Sequence, residues 1–353
     1  MKKNNGGIVN PFGRLKRMIV GVIDGAMVPE LDISVEATMP KSQIDFFRKN
    51  GGKPFPAEYV QGAKRELDTF AAWLENEGVI VDRPKVIDLS KPIITPFWQT
   101  QCGLYAAMPR DILLVADNKI VVSPMSWRCR YTEVEAYEGL LEMYKSMGYE
   151  ILIAPKPLLK DELYKKNRVV DDEHFISILS ETEPVFDAAD FLVLGKTILA
   201  QESHVTNKSG IEWLRNALGD EYNIYTVKVN DSKPMHIDTG LLPLREGLML
   251  VNPERVDIPE MRMQLPAQFK HWEFINAPTP VVRAGDPPKF MSSDWLSMNI
   301  ITIDAGLALI EEDQEPLAEL LEKYDFKVAR LPFKNFQCFG GSFHCATQEI
   351  ARE

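Results

Sequence analysis

The sequence predicts an α/β fold of one kind, a five-fold pseudosymmetric propeller in which a strand–strand–helix–strand unit recurs around a ring. Three observations lead there. Four segments read as pairs of apolar strands joined by a tight turn. Each is followed by an amphipathic helical stretch and then a short strand. The two chain regions left over hold the material for one more hairpin. A doubly wound sheet would instead alternate single strands with helices.

In chain order, a helix over Tyr59–Glu77 and a strand over Val79–Val86 open the series. The first hairpin is Asp111–Pro124 (DILLVADNKIVVSP), with helix Tyr131–Met147 and strand Tyr149–Ala154. The second is Phe191–Gln201, with Gly210–Leu218 and Tyr222–Val229. The third is His236–Pro253, with Pro259–Trp272, broken by Pro266, and Trp272–Ala277. The fourth is Ser297–Glu311, with Glu315–Tyr324 and Phe326–Leu331. The missing hairpin is built from Gln337–Ile350 and Met18–Asp24, closing the ring so that no sheet edge stays free. Segments Glu30–Pro56 and Lys156–Pro184 are loops around the ring and candidates for the site entrance.

The 353 residues are 45% hydrophobic and 26% charged, which suits a globular chain read as one domain over residues 1–353. A net charge of −11 argues against a nucleic-acid or anionic-membrane partner, since both need clustered Lys and Arg. Cys102, Cys129, Cys338 and Cys345 form no CxxC pair, so no zinc site is expected, and free thiols point to the cytoplasm. No apolar run approaches the roughly 20 residues of a membrane span, and MKKNNGGIVN has no signal-peptide core.

Polar residues stand where the apolar strands begin. They are Asp111, the pair Asp187 and Asp190, His236 with Asp238, Ser292 with Ser293, and His344 with Cys345. A carboxylate entering a buried strand must be paired or hydrogen-bonded. Several converging without a metal-ligand pattern suit a planar cation such as guanidinium, with five donors in a fixed fork. Each residue has a structural alternative: Asp111 can act as a cap or pair with Arg110, Asp187 and Asp190 can cap a turn, and His236 can be a core histidine. Cys345, in GGSFHCAT, follows two glycines that allow a close backbone approach; Cys338 is its rival as nucleophile.

The segments YAAMPRDIL, FDAADF, QESHVTNKSGIEWLR, PMHIDT, NPERV, FMSSDWLSMN and GGSFHCAT resemble the motifs of the arginine:glycine amidinotransferase family, in order and over nearly the whole chain. The resemblance implies a pentein-type ring of ββαβ modules and a homodimer without metal or organic cofactor. It implies that L-arginine and an acceptor amine are the substrates, joined through a covalent amidino-cysteine. Carried onto this sequence, the nucleophile is Cys345, the general acid and base His236, and the carboxylate orienting it Asp187. Asp111 and Asp238 bind the guanidinium, Arg255, Ser292 and Ser293 the α-carboxylate, and Tyr105 and Met235 line the pocket. Thr239 and Gly240 follow HID where creatine-pathway members have Ala-Thr, and QEIARE replaces a longer basic tail, so the acceptor stays open among glycine, another amino acid and a secondary-metabolite amine. An arginine deiminase or dihydrolase on the same scaffold, or a silent binding protein, are the competing readings.

Overall fold

The computed structural model describes residues 7–8, 10–168, 171 and 173–353. Most of the N-terminal stretch read for a signal segment, MKKNNG and Val9, lies outside them. One sheet pattern recurs five times among the described residues. The first strand of each unit pairs antiparallel with the second, and the second pairs parallel with the third. A parallel pairing needs a crossover, and a helix supplies it each time.

The first unit comprises strands Leu113–Ala116, Lys119–Val122 and Glu150–Ile153 with helix Glu138–Ser146. The second comprises Phe191–Leu194, Thr197–Gln201 and Asn223–Val227 with helix Lys208–Leu218. The third comprises Leu241–Arg245, Leu248–Val251 and Glu273–Asn276 with helix Ile258–Gln264. The fourth comprises Ile301–Asp304, Leu307–Glu311 and Lys327–Leu331 with helix Glu315–Lys323. Ala116↔Lys119 is the last register pair of the first hairpin, leaving Asp117 and Asn118 as a two-residue turn with Asp117 at φ 51. Pro266 ends the third helix as expected; only a short 3-10 turn, Ala267–Phe269, follows it.

The fifth unit joins the two ends of the chain. Thr347–Arg352 pairs antiparallel with Leu15–Val20, from Val20↔Thr347 to Leu15↔Arg352, and Leu15–Val20 runs parallel to Ile80–Asp82 after helix Ala57–Asn76. The closure is the expected one, but its strands are shifted. The N-terminal strand is Leu15–Val20 rather than Met18–Asp24, and within Gln337–Ile350 only Thr347–Ile350 is strand, after a short helix ending at Gln337 and a loop. That loop is where Gly340, at φ 93, turns the chain inward.

The second unit shows how local sequence makes the elements. Asn207 caps helix Lys208–Leu218 by accepting the Gly210 N–H at 2.8 Å, and Gly219 at φ 72 stops it. Ile211, Leu214 and Leu218, spaced three and four apart, are buried against Leu114, Val121 and Ile198 of the flanking sheets. Each such side chain contributes about 1.5–3 kcal/mol by leaving water. Leu214→Ala alone would cost about 2–5 kcal/mol.

Glu30–Pro56 folds into helices Ile33–Thr38 and Ile44–Asn50, and Thr38 through Lys41 do line the main cavity. The described residues of Lys156–Pro184 do not. Leu159, Leu163, Tyr164 and Leu179 pack with Trp98 in a separate apolar cluster instead.

Candidate active site

Each first strand is preceded by a tight turn, and these turns carry the polar residues. Asp111 lies in Pro109–Ile112, Asp187 precedes Ala188–Asp190, and His236 precedes Ile237–Thr239, which contains Asp238. Asn299 follows Asp294–Met298, and Cys345 stands just before Thr347. The side chains therefore enter from the turns at the starts of the strands.

A cavity of about 400 Å³ opens at these turns. Cys345, His236, Asp111, Tyr105, Met235, Arg255, Ser292 and Ser293 all line it, together with Trp127, Met291 and Trp295. Asp187 and Asp238 stand directly behind. His236 Nε2 meets Asp187 Oδ2 at 3.1 Å, and Cys345 Sγ meets Asp238 Oδ2 at 3.6 Å. His236 Nδ1 faces Asp111 Oδ1 at 3.5 Å, and the imidazole interacts with the Cys345 thiol. All ten residues to which the resemblance gives a role are thus gathered at one place. Asp187 does not cap its turn, and Asp111 pairs with Arg130 rather than with Arg110.

His236 holds φ 62, a left-handed conformation that costs a residue with a Cβ on the order of 1–3 kcal/mol. The glycines of GGSFHCAT have an equally specific use. A Cβ on Gly341 would lie 2.6 Å from Met108 Sδ and 2.7 Å from Cys345 Cβ. Cys338, the rival nucleophile, is fully buried in the apolar core and outside the cavity, its thiol donating toward Lys334 O at 3.7 Å.

Charge is the central feature of the site. Asp111, Asp187 and Asp238 are each at most 2% exposed, and each has a buried Oδ1 with no hydrogen-bond partner. Buried acceptors of this kind are costly unless donors arrive. Burial and the Asp238 carboxylate push the Cys345 thiol up to about 12, against the opposing pull of His236. Burial alone would strip His236 of its proton, but the Asp111 charge and the bonds to Asp187 and Cys345 outweigh it and hold the imidazole well above its ordinary value. These shifts favour a neutral thiol beside an imidazolium.

Residues not singled out as functional complete the arrangement. Arg130 reaches Asp111 Oδ2 at 2.7 Å and Asp187 Oδ2 at 3.6 Å, and its Nε meets Glu133 Oε2 at 2.5 Å. Asp111, Asp187 and His236 bring one ligand atom each within 4.8 Å of one another, close enough to hold a metal ion, and the Arg130 guanidinium supplies positive charge at that cluster. Asn299 and His344 both bond Asp238. A signal for Asn299 existed: like Asp111 and Cys345, it stands two residues ahead of a first strand. At the cavity mouth Arg255 is held by Asp231 at 3.1 Å and by Thr239 Oγ1 at 2.5 Å. Gly240 turns away, toward Val229 and Val256.

A five-unit ring that gathers a thiol, an imidazole and half-satisfied carboxylates at one cavity has the architecture of enzymes that act on guanidino groups. No family model matches the chain, but individual relatives do. It is 44% identical to an L-arginine:L-lysine amidinotransferase of Pseudomonas savastanoi pv. phaseolicola, over 96% of this chain and 92% of that one. It is 38% identical to the mitochondrial glycine amidinotransferase of Xenopus laevis, over 97% and 82%. The solved structure of SxtG, an amidinotransferase of Microseira wollei in saxitoxin biosynthesis, superposes with a TM-score of 0.92 at 38% identity, covering 99% of this chain and 98% of that one. The chain belongs to the amidinotransferase family. ArgZ, a cyanobacterial arginine dihydrolase, shares the pentein fold alone, with a TM-score of 0.60 at 16% identity over 95% and 97% of the two chains.

Proposed function

We propose that this protein moves the amidino group of L-arginine onto the terminal amine of an acceptor amino acid, with L-lysine the first candidate, by way of a covalent amidino-cysteine at Cys345. The observation that carries the reading is the set of three buried carboxylates, each with one oxygen unsatisfied, around a thiol and an imidazole on one cavity. A guanidinium brings the donors those oxygens lack.

In this mechanism Asp111 and Asp238 hold the arginine guanidinium with its central carbon over Cys345 Sγ. The arriving cation offsets the burial and the Asp238 charge that keep the thiol protonated, so the thiol releases its proton to solvent and the thiolate forms. Thiolate attack makes the S–C bond. His236, poised as imidazolium by Asp187 and Asp111, gives its proton to the departing nitrogen, and the C–N bond breaks to release L-ornithine. The acceptor ammonium then loses one proton to the neutral imidazole. Its amine nitrogen attacks the amidino carbon, the thiolate leaves, and the new C–N nitrogen sheds a second proton to solvent to give the product guanidinium.

Acceptor choice follows from what departs. Ornithine is an α-amino acid with a terminal amine, so the vacated cavity suits the same class. Arg255, Ser292 and Ser293 stand ready for an α-carboxylate and Asp231 for an α-ammonium. The 44% identical relative named for lysine supports that choice. The resemblance carries the further expectation of a cytoplasmic homodimer, which sedimentation of the purified protein checks for assembly.

The test is incubation with L-arginine alone, followed by the mass of the intact chain and assay for ornithine. An adduct on Cys345 with one equivalent of ornithine, turning over only when an amine is added, is the expected result. Continuous citrulline or ammonia release would make the protein a hydrolase. Absence of both adduct and product would leave only a binding role.

A further inference from the structure

Asp238 is supported from two sides by residues with no role so far. Its Oδ2 accepts from His344 Nδ1 at 2.7 Å and from Asn299 Nδ2 at 3.0 Å, while its Oδ1 is buried and free of partners. Asn299 is fully buried and does a second job with its other end. Its Oδ1 accepts the backbone N–H groups of Cys345 and Ser342, both at 3.0 Å. An amide donates from one atom and accepts at the other. Asn299 therefore ties a guanidinium-facing carboxylate to the nucleophile's own peptide.

His344 approaches from behind. Its ring lines a second cavity on the far side of the site, together with Arg110, Gln348, Glu349 and Arg352. Its carbonyl accepts from Arg110 Nε at 2.8 Å, and Arg110 Nη1 lies 4.0 Å from Glu349 Oε2. Burial would raise the Asp238 carboxyl, but the bond from His344 and its charge, with His236 and Arg110 beyond, hold it below its ordinary range. Burial and Arg110 lower His344 in spite of Asp238. The ring meets the carboxylate through Nδ1.

We infer that Asn299 and His344 are positioning residues for amidino transfer: by occupying Asp238 Oδ2 from both sides they reserve Oδ1 for the guanidinium and fix it relative to Cys345 Sγ. Without them the carboxylate can rotate and present either oxygen, and the Cys345 peptide loses its link to it. This inference rests on the arginine reading above.

The experiment compares single-turnover amidination of Cys345 by L-arginine with alkylation of the same thiol by iodoacetamide, which needs no guanidinium. His344→Asn keeps an N–H donor near the place of Nδ1; His344→Leu removes it. Asn299→Asp keeps the acceptor for the two backbone N–H groups but sets a second carboxylate against Asp238. Loss of a charge-assisted hydrogen bond predicts amidination about 10- to 100-fold slower in His344→Leu, with most of the rate recovered in His344→Asn. Asn299→Asp is expected to lose at least as much, while iodoacetamide alkylation of the His344 variants stays within a few-fold of wild type.

Equal amidination in His344→Leu and wild type overturns the inference. So does an equal loss in His344→Leu and His344→Asn with unchanged melting temperatures. If His344→Leu does not fold, a wild-type rate in Asn299→Asp overturns it alone. Wild-type protein that gains no adduct sinks the arginine reading and the positioning role with it, whereas adduct formation unaltered in every variant sinks the positioning role only.

Discussion

Arg130 Nη1 sits 2.7 Å from Asp111 Oδ2 and 3.6 Å from Asp187 Oδ2, so one buried guanidinium braces carboxylates delivered by two different units. Glu133 holds its other edge, and Tyr105 lies beneath it with the ring centroid 5.5 Å from Cζ. Removing Arg130 leaves buried carboxylates without a counter-charge. Arg130→Met should cost about 3–5 kcal/mol of folding stability in urea melts. A loss below about 1 kcal/mol would mean that the carboxylates find other partners.

Cys345→Ser keeps the shape of the site and removes the soft nucleophile. Amidino transfer should fall by about 10³-fold or more, with no covalent adduct after incubation with arginine. Retention of transfer in this variant would move the chemistry to another residue.

Arg255 is proposed to bind a carboxylate that agmatine, the decarboxylated arginine, lacks. Arg255→Ala should lower kcat/KM for L-arginine by about 10- to 100-fold, mainly through KM, and leave agmatine nearly unaffected. Parallel losses on both substrates would assign Arg255 a structural duty with Asp231 and Thr239 instead.

Iodoacetamide reads the Cys345 thiol directly. With the thiol pushed up to about 12, its alkylation in the empty enzyme should rise nearly tenfold per pH unit between pH 7 and 9. A plateau within that window would show that the thiolate already exists without substrate.

Asp190 links acidity to stability. Burial raises its carboxyl from 3.8 to about 7 despite His236 and the bonds from Ser203 and Thr206. The folded state then holds the proton more tightly than the unfolded chain. Its contribution is fully present below about pH 3.8 and is lost as pH rises through about 7. Urea melts at pH 4.5, 6 and 7.5 should show wild type losing stability relative to Asp190→Asn as pH rises. A constant difference would mean equal titration in both states.

The architecture was legible because it repeats. Hairpins such as Leu113–Val122 carry continuous aliphatic runs around a turn, and each is followed by a helix and a strand, so the pattern reinforces itself. Ring closure was legible too, but not its register, because Leu15–Val20 and Thr347–Arg352 have no local partner to mark their ends. Among the site residues, Cys345, His236 and the aspartates were read through motifs. Arg130 was missed because it meets Asp111 and Asp187 only in space, and Asn299 because it was hidden behind Ser292 and Ser293. His344 had only its adjacency to Cys345 to recommend it, since nothing in the sequence says that its ring turns back toward Asp238.

The pairing of Thr347–Arg352 with Leu15–Val20 also sets an order of events. Cys345 stands two residues before a strand whose partner was synthesised more than three hundred residues earlier. Contacts of such sequence separation form late and slowly. Asp111, Asp187, His236 and Asp238 stand in units whose strands are close in sequence, whereas Cys345 depends on this long-range pairing. The thiol comes into register with its acid and its carboxylates only when the first and last strands have met, so reactivity toward a guanidinium becomes a clock for the completion of folding.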